Sequence, residues 1–397
     1  MKKQNNRLRS ARLERSWTPE FVSGKVGVSL NTYNRWEAGE QMPRLSSLDA
    51  LCKVFEMSPE ELGFTHLATA KKIRTAQDEE IAETLSVPPF ISSIPDDDDL
   101  PSLSESIRLW GLGIESCWEL YMNGGQAELE RLLPTYLSNL SKPTLYPGSE
   151  QKAAAGLTAQ VYQLLALLEL QHGDFINAQA NGTQALVYSQ LAKDWNLYIA
   201  SQLRLAAIFT ARKRTGSALS AYNEALKRVN VSKESISPLL HSWIFAGLAE
   251  IQATMGRDVD ALQLLQLAFA VFPAKPEEDP CFSYTRCDRS LLFLYEGLVF
   301  LRLGQTKLAW EAFSEIDELK PAPVERTRAE FLLHKTYTSV ILGNMIQSCI
   351  YLEAAAKAAQ AVQSDLAFSA VYSLYEHMLA HWGSETRVRS LSRLFQR

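Results

Sequence analysis

Cysteine is scarce in this 397-residue chain: Cys52, Cys117, Cys281, Cys287 and Cys349 are odd in number and none is spaced as CxxC. That pattern argues against a disulfide framework and a zinc site and for reduced thiols in a cytoplasmic protein. No secretory leader is expected, because Met1-Lys2-Lys3-Gln4-Asn5-Asn6-Arg7 carries charge without an apolar segment. No later apolar run approaches bilayer-spanning length, so the chain is expected to be neither secreted nor embedded. Ser23-Gly24-Lys25 lacks the upstream glycine of a phosphate loop. His377 and His381 lie one helical turn apart beside Glu376, but the stretch is not HExxH and no third ligand accompanies it, so they are read as surface histidines. The acidic run Asp96 to Asp99 has neither the glycine nor the spaced carboxylates of a calcium loop. With no nucleophile beside an identifiable base, neither catalysis nor a cofactor nor a metal is expected.

Positive charge is also missing overall, the formal net charge being −5. It is unevenly placed: residues 1–44 carry nine Lys/Arg against Glu14, Glu20, Glu37 and Glu40, about +5, which leaves about −10 for the remainder. Such asymmetry directs an attractive field for a polyanion to one end of the chain. Within that end, residues 18–39 read as a helix-turn-helix. Thr18 caps a helix with Pro19 at its first position, running to about Val26, and Gly27 ends it. Ser29 caps a second helix whose Tyr33 and Trp36 point inward at i, i+3, leaving Leu30, Asn31, Thr32 and Arg35 outward. Short polar groups and an arginine on the first turns of a helix suit the base edges of a major groove. Thr18, Ser29, Asn34 and Arg44 complete the expected DNA contacts.

From Leu8 to Phe64 the ordered residues Leu8-Arg9, Arg12, Trp17-Thr18, Gly27-Val28-Ser29, Thr32, Arg35-Trp36-Glu37, Gly39, Pro43, Leu48 and Ser58-Pro59-Glu60-Glu61-Leu62 resemble the XRE, or Cro/phage-repressor, DNA-binding family. The resemblance implies a five-helix domain over residues 1–64, with helices at 45–62 closing it. It also implies a structural pair between Arg12 of the first helix and Glu37 at the end of the recognition helix. Two positions depart from the pattern, Pro19 where glutamine is usual and Ser23 where alanine is usual at the helix crossing.

Residues 65–102 are expected to hold a connecting helix (66–85) and then a Pro- and Asp-rich linker, since Pro88, Pro89, Pro95 and Pro101 interrupt regular structure. The rest, 103–397, repeats. Turn motifs begin at Gly173, Gly216, Gly256, Gly304 and Gly343, each between two apolar helical stretches, and the small residues ending them (Ala178, Ala218, Ala261, Ala309, Ser348) are 40, 43, 48 and 39 apart. Ala185, Ala225, Ala268, Ile316 and Ala355 follow seven residues on, and Pro273 and Pro321 fall at a common offset. Glycine allows the tight turn, alanine the close approach, and proline the stop. This resembles tetratricopeptide (TPR) repeats, longer than the usual 34, with 273–287 as an inserted loop. A diverged pair around Gly124-Gly125 precedes them. Residues 366–382 and a stripe of Val388, Leu391, Leu394 and Phe395 are expected to cap the array or form a dimer contact. The fold class is therefore all-α, a helix-turn-helix domain followed by a TPR-like solenoid.

If the repeats stack as TPRs do, Gln160, Gln163, Gln171, Lys213, Arg214, Trp243, Glu250, Arg302, Glu330 and Tyr337 line the concave face. Amides there can hold a peptide backbone, cations a carboxylate, and aromatics an apolar side chain. The combination resembles RRNPP-type peptide-sensing transcription regulators. That resemblance implies a homodimer held by the repeats, an inverted-repeat operator in double-stranded DNA, and a short signalling peptide in the groove, although glutamines stand where those sensors commonly use asparagines. The reading from a different class is an interaction scaffold with a vestigial DNA-binding head.

Overall fold

A computed structural model of the chain describes residues 6–64 and 102–396, apart from 16, 40, 42, 44, 56, 59, 60, 232–235, 320 and 321. The expected connecting helix, nearly all of the linker, Arg44 and Pro321 therefore lie outside the described residues. The chain divides into two compact units, residues 1–99 and 100–397.

In the first unit, α1 (Asn6–Glu14), α2 (Pro19–Val26), α3 (Leu30–Glu37) and α4 (Leu45–Phe55) pack around Leu8, Val22, Tyr33, Trp36, Leu51 and Phe55. Burying each such side chain contributes roughly 1.5–3 kcal/mol. The local signals act as the sequence implies. Thr18 is extended and its hydroxyl accepts from the Phe21 amide at 3.3 Å; Pro19 opens α2 where its missing N–H has no partner to lose. Gly27 takes φ +78°, and Ser29 accepts from the Thr32 amide at 3.1 Å to start α3. Ser23, buried at the crossing, donates to the Glu20 carbonyl at 3.0 Å, which satisfies a hydroxyl where alanine would have none. Of the fifth expected helix, Pro59 and Glu60 lie outside the described residues; Ser58 and Glu61 on either side cap each other, the Ser58 amide donating to the Glu61 carboxylate at 2.7 Å and the Glu61 amide to Ser58 Oγ at 3.3 Å.

The second unit is a run of antiparallel helix pairs: α5 (Leu103–Met122) with α6 (Gln126–Leu145), α7 (Gln151–Gln171) with α8 (Phe175–Ala192), α9 (Trp195–Ala211) with α10 (Thr215–Val231), and α11 (Pro238–Thr254) with α12 (Asp258–Val271). After the short α13 (Phe282–Thr285) come α14 (Arg289–Arg302) with α15 (Thr306–Glu318), α16 (Glu325–Ile341) with α17 (Met345–Ala361), then α18 (Asp365–Trp382) and α19 (Thr386–Ser390). Gly173, Gly256, Gly304 and Gly343 turn the pairs with φ between +71° and +78°, a region open to glycine without penalty. Gly216 does not. It is the second residue of α10, and Lys213 makes that turn at φ +58°. The offset explains the correction: each other turn glycine lies five residues before its small residue, and five before Ala218 is Lys213.

Ala185, Ala225, Ala268 and Ala355 are fully buried at the crossings. One expectation about apolar runs needs correction: α7 is long and apolar enough to cross a bilayer, yet it is largely buried, with Ala154, Val161, Leu164 and Leu168 in the repeat core. The expected final helix divides into α19 and a tighter turn, Leu391–Phe395, because Val388 and Leu391 must both enter the core while Phe395 seats on Phe368, Tyr372 and Tyr375.

The array closes on itself. Arg326 of α16 donates through Nε to the Tyr121 carbonyl at 2.9 Å, lies over the Tyr121 ring at 3.9 Å and reaches the Val362 carbonyl at 3.4 Å. The Gln126 amide faces the carbonyls of Val362 and Gln363, and Ser364 donates to Gln171 at 2.6 Å. The first pair thus meets the turn after α17. The loop expected at 273–287 is folded inward, with Cys281, Tyr284, Thr285 and Cys287 buried.

Candidate nucleic-acid interface and the repeat interior

The outward face of α3 is built on a locked scaffold. Arg12 donates through Nε and Nη2 to the two carboxylate oxygens of Glu37, at 2.6 and 3.1 Å, and through Nη1 to the Trp17 carbonyl at 2.9 Å. Tyr33 donates its hydroxyl to Glu37 at 2.8 Å, and burial together with that carboxylate pushes the phenol pKa up. The pair ties α1 to the end of α3 and leaves the other face of α3 outward. Leu30, Asn31, Asn34 and Arg35 are exposed, as are Thr18 and Ser29; Thr32 is half-buried. Ser29 and Thr32 join hydroxyls at 2.8 Å. The N-termini of α2 and α3 thus offer capped but accessible amides, and such ends attract anions. The sequence did not flag Phe21, 45% exposed beside Thr18 with Lys25 over its ring at 5.8 Å.

In the repeat unit the proposed ligand residues scatter. Gln163 is not on an open face: it is fully buried and its amide donates to Ser201 at 2.9 Å, a packing bond between α7 and α9. Gln171 belongs to the closure, donating to the Tyr121 hydroxyl at 3.3 Å and accepting from Ser364. Gln160 accepts from the Trp118 indole at 3.1 Å. Lys213 and Arg214 stand exposed at the α9–α10 turn, with Arg214 beside Gln179 and Thr183 of α8 at an open depression of about 300 Å³. Trp243 is 6% exposed and its indole donates to the Tyr295 hydroxyl at 3.1 Å. Glu250 is buried 3.5 Å from Arg302; burial pushes its carboxyl up and Arg302 pulls it back. Glu330 is exposed at its surface, but the desolvating crowd of protein around its carboxyl and Glu250 push it up to about 7, against Arg326. Tyr337 is 45% exposed.

The interior contains a residue that the sequence reading passed over. Arg204 of α9, flanked by Leu203 and Leu205, lies between the rings of Trp118 and Trp243, 5.0 Å from each centroid, and donates through Nη2 to the Tyr284 carbonyl at 3.0 Å. The available signal was that Arg204 is the one charged residue between Trp195 and Ala211. All five cysteines are free thiols, and among the described residues no group of three or more His, Cys, Asp or Glu is placed to hold a metal.

Residues 8–62 match the helix-turn-helix family profile. A curated relative, the cryptic phage CTXphi transcriptional repressor RstR of Vibrio cholerae, is 34% identical over 58 residues, 15% of this chain and 52% of the relative. The chain thus matches about half the length of that relative. Among solved structures, the APC/C hetero-tetramer Cut9-Hcn1 is similar over 76% of this chain and 51% of its own at 14% identity, TM-score 0.41. Bacillus thuringiensis PlcR, crystallised with the peptide PapR7 and DNA, is similar over 88% of this chain and 99% of its own at 11% identity, TM-score 0.37.

Proposed function

We propose that this chain, whose residues 8–62 form a helix-turn-helix domain of the XRE type, is a DNA-binding transcription regulator whose repeat unit pairs with a second copy and binds a regulatory ligand, a short peptide. The observation that carries the DNA-binding half is the outward face of α3: Asn31, Asn34 and Arg35 project from a helix whose inner face is fixed by Tyr33, Trp36 and the Arg12–Glu37 fork. Side chains of this kind, presented from a rigid helix, can reach base edges, while Thr18 and the helix N-termini meet phosphates. One such helix makes few contacts, so useful affinity calls for two heads on an inverted repeat. The charged groups of the repeats, buried Arg204 and Glu250 and exposed Arg302 and Glu330, support the ligand half.

The test is selection of duplexes from a random library by the full-length protein, followed by affinity at several salt concentrations. Enrichment of an inverted repeat, with affinity falling steeply as salt rises, supports the reading. Weak binding without salt dependence favours an interaction scaffold that keeps the domain without its activity.

A further inference from the structure

Two buried arginine edges contrast among the described residues, one filled and one half empty. In the helix-turn-helix unit the Nε and Nη2 of Arg12 hold both oxygens of the Glu37 carboxylate. In the repeat interior the Nε and Nη2 of Arg204 hold a single acceptor, the Tyr284 carbonyl on Nη2, while Nε is buried without a partner. Arg204 is 9% exposed, and none of the carboxylates among the described residues pairs with it. Burial pulls its pKa down to about 10, the sign of a cation whose charge is not neutralised. An uncompensated buried charge is costly, and a planar fork matches a carboxylate bidentately. The Trp118 and Trp243 rings each lie 5.0 Å from the group, which suits an anion flanked by apolar surface.

The segment that supplies the occupant of that fork is held by the burial of Cys281, Tyr284 and Cys287 and by few polar ties. Residues 273–287 enter the interior from an exposed rim, and their polar fastening is one cluster in which Ser237 donates to both oxygens of Asp279 at 2.8 Å and the Cys281 amide donates to Asp279 at 2.8 Å. A second tie, Arg286 to Glu119 at 3.2 Å, is solvent-facing, and exposed pairs of that type contribute little. We propose that Arg204 is the anchor for a ligand carboxylate in the repeat interior, and that residues 273–287 are a displaceable plug whose Tyr284 carbonyl occupies the fork until that carboxylate replaces it. This rests on the ligand-binding half of the proposed function and names the group recognised, the free carboxyl end of a short peptide with apolar side chains beside it.

The probe is a pool of N-acetylated random heptapeptides with free carboxyl ends, and the same pool amidated, offered to the full-length protein and read by native mass spectrometry. Retention of free-acid peptides only is expected. Asp279→Ala, which loosens the plug, should retain them at least about tenfold more tightly, and Arg204→Gln should retain none, in line with the strength of a charge-assisted bond. Hydrogen exchange should rise over 281–287 when a peptide binds. Equal retention of the amidated pool, retention that survives Arg204→Gln, or unchanged protection of 281–287 would overturn the proposal while leaving ligand binding at another site standing. No retention by either the parent or Asp279→Ala overturns both the anchor and the ligand half of the proposed function.

Discussion

Arg12 and Glu37, 25 residues apart in sequence, meet fork to fork in the core of the first unit, and Tyr33 completes the carboxylate's shell. Replacing Glu37 by Gln leaves the buried guanidinium facing a neutral group, and breaking a buried pair from one side costs roughly 3–5 kcal/mol. The expected result is fast hydrogen exchange throughout α1 to α3 in the full-length variant, with the repeat unit unchanged. Arg12→Met combined with Glu37→Leu should recover most of the protection, because no charge is then stranded.

Arg35 is exposed on α3 beside Asn31, where an arginine can take guanine O6 and N7 together. Arg35→Ala should flatten the preference at one base pair of each half-site by roughly 1–3 kcal/mol. Comparing libraries selected by parent and variant measures this; identical base preferences would take Arg35 out of the reading set.

Residues 1–64 alone should bind the selected duplex far more weakly than the whole chain, since two heads reading half-sites about 34–36 Å apart double the contacts. Titration of both proteins at one fixed salt concentration, with sedimentation to give the oligomeric state, decides it. A full-length monomer bound to an inverted repeat would contradict the dimer.

Lys213 holds φ +58° at a turn where the corresponding residues are glycines. A side chain in this region costs about 1–2 kcal/mol, partly offset by the entropy glycine loses on folding. Lys213→Gly should therefore raise the stability of the repeat unit by up to about 1 kcal/mol, whereas Gly256→Ala, at φ +71°, should lower it. Thermal melts of the two variants should move in opposite directions.

Glu330 has its carboxyl pushed up to about 7 from the ordinary 4.5, with burial the first cause. A folded-state pKa above the unfolded one means that the folded chain binds the extra proton between pH 4.5 and 7, so this group's contribution to stability falls as pH rises through that window. Glu330→Gln should match the parent near pH 4 and exceed it at pH 8. A carboxyl carbon resonance titrating near pH 7 and missing from the variant would identify the group; ordinary titration near 4.5 would refute the assignment.

The helix-turn-helix was legible from the sequence because its determinants are local: a Thr18 cap, a Gly27 stop, a Ser29 cap and an i, i+3 aromatic pair are each set by residues within one turn of one another. The repeat pairs were legible for a related reason, since a turn glycine and a buried alanine act on adjacent helices. Even the misplaced turn at Gly216 was recoverable from the offset that leads to Lys213. What the sequence did not disclose depends on how small rotations between pairs accumulate. The closure of α5 and α6 on the turn after α17, the burial of Gln163 in a helix crossing and of Trp243 against Arg204, and the entry of 273–287 into the interior all join residues tens to hundreds of positions apart. Curvature is a sum over every interface, so only the tertiary structure decided which side chains of the first helices reach the interior and which pack between neighbours.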